Sequence, residues 1–85
     1  MESSKITMNI YGYEKNKKDL LEMSEISLQC SINELKLVID FLNNTLEEHK
    51  SVKNKTDMCH SHFKDFNFQH DETDPDIIVV SKFKE

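Results

Sequence analysis

The chain has 85 residues, 36% of them hydrophobic and 32% charged, with a formal net charge of −5. That length holds one domain and excludes a second lobe with an interdomain cleft. The charge argues against nucleic acid, which needs clustered cations to displace condensed counterions, and fits a soluble protein with a basic protein partner.

Two cysteines, Cys30 and Cys59, are too few for a disulfide-stapled secreted domain of this size. Met1 to Lys5 lack the apolar core of a signal peptide, and no run approaches the ~20 apolar residues of a membrane span. The sequence therefore predicts a cytosolic protein with reduced thiols, no membrane association and no cofactor.

Along the chain, Ile6, Met8 and Ile10 alternate with Thr7, Asn9 and Tyr11, the period of a half-buried strand. Gly12, the only glycine, falls near its end. Glu14 to Asp19 form a charged hairpin loop. Leu20 to Cys30 read as a second strand with Ile26, Leu28 and Cys30 turned inward. Met23 has the opposite parity, which predicts a bulge or a late strand start.

Ser31-Ile32-Asn33-Glu34 is a capping box, in which each side chain satisfies the other residue's backbone N–H. Beyond it, Ile32, Leu35, Ile39, Leu42 and Leu46 make one apolar stripe, widened by Val38, that predicts a core-facing helix fading near His49 or Lys50. Ser51 to Asp57 read as a loop. The aromatic-rich stretch from Cys59 to Phe68 reads as a third strand, and Gln69 to Asp76 as an acidic turn with the only proline, Pro75. Ile77 to Val80, continuing to Phe83, read as a central strand covered on both faces. The predicted fold class is α+β: a two-layer ββαββ domain over residues 1–85, one amphipathic helix packed on a four-stranded, mainly antiparallel sheet.

Four groups of residues invite functional readings. Cys59, His60 and His62 are zinc-ligand types, and alternation puts the two histidines on one strand face, but no second pair completes a tetrahedral site. The reading preferred over a metal site is two surface histidines and a small buried thiol. Cys59 beside His60 also resembles a nucleophile and base, but neighbours on a strand point to opposite faces and no oxyanion site accompanies them, so no enzyme is predicted. Asp71, Glu72, Asp74 and Asp76 lack the glycine and terminal glutamate of an EF-hand loop; they make either a solvated turn or a docking patch for a basic partner. Leu37 and Phe41 stand one turn apart, off the apolar stripe, as contacts for a loop of the same chain, a partner or a second copy. Tyr11 and Tyr13, with His60 and His62, are placed on the open face of the sheet, where aromatic residues suit an interface.

From Glu25 onward, the strand into the capped helix, the stretch His60-Ser61-His62-Phe63-Lys64-Asp65-Phe66 and the segment Pro75 to Phe83 resemble the immunity protein 32 family of bacterial polymorphic toxin systems. The resemblance covers about two-thirds of the chain and departs from the family pattern in having no Trp before the final strand. It implies a small α+β cytosolic protein that binds and neutralises a cognate toxin domain, with His60, His62 and Phe63 at its most recognisable step.

Overall fold

The computed structural model describes residues 7–67 and 69–83. Its elements, in order, are β1 (Ile10–Gly12), β2 (Leu21–Met23), α1 (Ile32–Val52), β3 (Met58–His62), α2 (Phe63–Phe66) and β4 (Ile78–Lys82). Ile6 and Phe68, the predicted outer ends of the first and third strands, and Met1 to Lys5 lie outside the described residues.

The fold is α+β with one main helix, but the four strands do not form one sheet. Among the described residues β1 pairs only with β2 and β3 only with β4, both antiparallel. In the first hairpin Ile10 faces Met23, Tyr11 faces Glu22 and Gly12 faces Leu21. Its turn has the Lys17 N–H donating to the Glu14 carbonyl at 3.1 Å, with Asn16 at φ 63°, a left-handed conformation that asparagine tolerates better than most residues. The second strand ends at Met23 rather than running to Cys30, so the parity conflict at Met23 marks an early end and not a bulge.

The start of α1 follows the capping box. The Glu34 N–H donates to Ser31 Oγ at 3.1 Å, and the Ser31 N–H donates to Glu34 Oε1 at 2.7 Å, satisfying two of the donors that a helix start leaves free. The predicted core stripe is overturned. Ile32, Leu35, Ile39, Leu42 and Leu46 are all exposed, and the face turned inward carries Phe41, Thr45 and His49. Successive residues on that face are four apart, so they stack along one side of the helix. Phe41, read from the sequence as either covered by a loop of the same chain or exposed as a contact, takes the first role: it is the one fully buried large side chain among the described residues, and Leu37 one turn before it is half-buried.

Phe41 is covered by aromatic rings from the segment after β3. Its centroid lies 5.4 Å from Phe63 in an edge-on arrangement and 5.8 Å from Phe66, within the range in which aromatic pairs attract beyond the area they bury. This is why Cys59 to Phe68 is not a continuous strand. Phe63 to Phe66 wind into the turn α2, which brings both rings to the same side; on a strand, residues three apart would point to opposite faces. β4 is not a central strand either. Val79 and Ser81 are half-buried, while Ile78, Val80 and Lys82 are exposed, the alternation of a strand covered on one face.

Candidate functional site

The packed part of the molecule is held by two polar networks that bracket the aromatic cluster. In the first, His49 is 4% exposed and bonded through both ring nitrogens, Nδ1 to Ser81 Oγ at 2.7 Å and Nε2 to Ser61 Oγ at 3.0 Å. Ser61 donates its only hydroxyl proton to Glu48 Oε1 at 2.6 Å. The His49 Nε2–H therefore donates to Ser61, and in the neutral ring Nδ1 then accepts from Ser81. A helix residue is thereby tied to both strands of the second hairpin through a buried ring that loses no hydrogen bond.

The second network centres on Asp76. Oδ2 pairs with His62 Nδ1 at 2.7 Å, and Oδ1 accepts from the backbone N–H groups of Lys64 and Ile77, each at 2.9 Å. Partial burial pushes the Asp76 carboxyl up, but the His62 and backbone hydrogen bonds, with the charge of His62, outweigh it and hold the group below its ordinary 3.8. The carboxylate fixes the first turn of α2 from a residue far along the chain and orients His62.

Between the networks lies an open cleft of about 410 Å³, floored by Phe41 and Phe66 and lined by Asn44, Thr45, Glu48, His60, Ser61, His62 and Asp65. The Thr45 hydroxyl is buried there without a hydrogen-bond partner. Two carboxylates, Glu48 and Asp65, stand at the cleft beside two imidazoles whose rings are 5.5 Å apart. An aromatic floor with carboxylates suits a cationic or amphipathic group from another molecule.

The predicted site residues divide between this cleft and elsewhere. His60 and His62 share a face of β3 and line the cleft, and Phe63 packs behind it. Tyr11 and Tyr13 are exposed near the first hairpin and do not share a sheet with the histidines, because the two hairpins are separate. Phe41 is unavailable as a surface contact. Among the described residues no three His, Cys, Asp or Glu side chains converge as metal ligands would; Cys59 alternates away from the histidines along β3.

The acidic turn is largely occupied with its own geometry. Asp71 Oδ1 accepts from the Thr73 N–H at 3.0 Å and the Thr73 hydroxyl at 3.2 Å, and the Asp71 N–H donates to Asp74 Oδ2 at 2.9 Å. The bond from the Thr73 N–H is the main reason that the Asp71 carboxyl sits below its ordinary 3.8, helped by the Thr73 hydroxyl, the nearby His70 and the Glu72 N–H. His70 Nε2 donates to the Pro75 carbonyl at 3.0 Å and closes the turn. Of the four acidic residues, Asp76 is structural, Asp71 and Asp74 shape the turn, and Glu72 is exposed.

Sequence reasoning missed Asn44, Glu48 and Asp65 at the cleft. The available signal was the four-residue spacing of Phe41, Thr45 and His49, which defines a second helix face and puts Asn44 and Glu48 on its edge. Among the described residues no helix is long and apolar enough to cross a membrane. Comparison with known proteins gives no match to a family model, a curated protein or a solved structure.

Proposed function

We propose that this chain is an immunity protein that binds a cognate bacterial toxin domain in the cytoplasm and neutralises it by stoichiometric occupancy rather than by catalysis. The toxin class rests on the resemblance to the immunity protein 32 family. The observation that supports a protein-binding role is the cleft: the His60-Ser61-His62-Phe63 step that carries the resemblance borders a concave surface with Glu48 and Asp65 at its edge. Those carboxylates and the net charge of −5 favour a basic surface on the toxin. Glu72 in the acidic turn supplies further negative charge for steering the approach.

Co-expression with the toxin domain encoded next to this chain is expected to give a 1:1 complex and to restore growth of the host. Asp65→Lys is expected to weaken that complex about tenfold, chiefly through slower association at low salt. If the wild-type pair yields neither a complex nor survival, the reading fails.

A further inference from the structure

We infer that α1 carries a homodimer interface, with two copies packing their Ile32–Leu46 stripes antiparallel about Ile39. The stripe lies on the other side of α1 from the cleft, since Ile39 and Phe41 are about 200° apart on the helix. Ile32 is 82% exposed, Leu46 55% and Ile39 48%. This is the side-chain pattern of a buried helix face, left in water.

The area argues for a second copy. The chain has 8083 Å² of accessible surface, against roughly 5,200 Å² for a compact monomer of its mass. Its radius of gyration, 14.5 Å, exceeds the ~12 Å of a compact chain of this length. The five stripe residues expose on the order of 500 Å², so a pair of copies buries about 1,000 Å² from the stripes alone, close to the ~1,200 Å² at which specific interfaces begin, with residues flanking the stripe to add to it.

Symmetry and charge select the geometry. The stripe reads nearly the same in both directions from its centre. In an antiparallel pair Ile32 therefore meets Leu46 of the copy, Leu35 meets Leu42, and Ile39 meets itself, the self-complementarity that a two-fold interface requires. The helix balances charge beside the stripe internally, Lys36 with Asp40 at 3.1 Å and Lys50 with Glu47 at 3.8 Å. Approach of an identical surface thus brings no row of like charges together, as it would in a parallel pair with Lys36 beside Lys36.

Sedimentation equilibrium of the full chain across the micromolar range tests this. The mass is expected to rise from the 10.0 kDa of one chain to twice that value. Ile39→Asp and Leu46→Lys are each expected to raise the dissociation constant tenfold or more with helical circular dichroism unchanged, because neither side chain is buried within one chain. In a background carrying Cys30→Ser and Cys59→Ser, Ile39→Cys should form a disulfide dimer by itself. Ile32→Cys should cross-link only when mixed with Leu46→Cys. A mass that stays at one chain throughout overturns the proposal, whether the first hairpin covers the stripe or nothing does. So does a dimer that both charged variants leave intact, or an Ile32→Cys chain that links to itself. The toxin-binding cleft lies on the other side of α1, so failure here leaves that reading standing.

Discussion

The N-terminal third and the remainder of this molecule both carry many apolar residues and use them differently, and all five Phe lie in the remainder. Every side chain from Tyr13 to Lys36 is exposed, including Leu20, Leu21, Met23, Ile26, Leu28, Ile32 and Leu35. From Leu37 onward the helix, the second hairpin and α2 bury an aromatic centre and lock it with the His49 and Asp76 networks. The difference shows that apolar patterning selects faces that can be covered, while the partner that arrives decides which face is covered. The C-terminal region holds its partners within the chain; the stripe on α1 is left uncovered by the described residues.

The largest test of this contrast is Phe41→Ala. Phe41 contacts both α2 rings and is 1% exposed, and removing such a side chain costs about 3–5 kcal/mol. A domain of this length has roughly 4–13 kcal/mol in all, so the variant is expected to lose from about a quarter of its urea midpoint to all of it. A loss below about 1 kcal/mol would mean that the aromatic cluster is not the core.

Much of the C-terminal region was legible and its centre was not. The capping box places the start of α1 at Ile32 because a local reciprocal hydrogen bond needs no tertiary information. The last strand is visible in its run of β-formers. Thr45 and His49 look like surface residues, and only Ser61 and Ser81, 12 and 32 positions away from His49, make its ring a buried one. Likewise Asp76 reads as one more charge in an acidic turn until its carboxylate is seen holding His62 and the start of α2. Interactions closed between distant positions leave no periodic mark. The cleft inherits that difficulty: the His60–His62 pair is apparent from alternation, but Glu48 and Asp65 join it only through the fold.

An intermediate effect should come from acid. The Asp76 carboxyl lies below its ordinary 3.8 in the folded protein, so its contribution to stability is complete above the unfolded value and disappears as pH falls through the folded one. Urea midpoints are expected to drop as pH falls below about 4, and Asp76→Asn should remove part of that drop. At pH 7 the same variant is expected to lose about 1.5–3 kcal/mol, the scale of hydrogen bonds to a charged group. An unchanged acid profile in Asp76→Asn would move the acid sensitivity to another carboxylate and weaken the view that Asp76 locks the C-terminal region.

The smallest effect is expected in the N-terminal third, and it sharpens the comparison most. Leu21→Ser and Met23→Ser change side chains that are 40% and 39% exposed on β2. If the hairpin buries little against the rest of the chain, each should cost less than about 0.5 kcal/mol in urea titrations at a fixed protein concentration. The same substitution at Val79, half-buried on β4, should cost more, because it opens a gap on the covered face of the second hairpin. Equal losses at the two hairpins would show that β1 and β2 pack on a surface as β3 and β4 do, and the contrast between the two regions would not survive. A loss at β2 that grows with protein concentration would instead place the first hairpin within the contact between copies, since only an associated state makes stability depend on concentration.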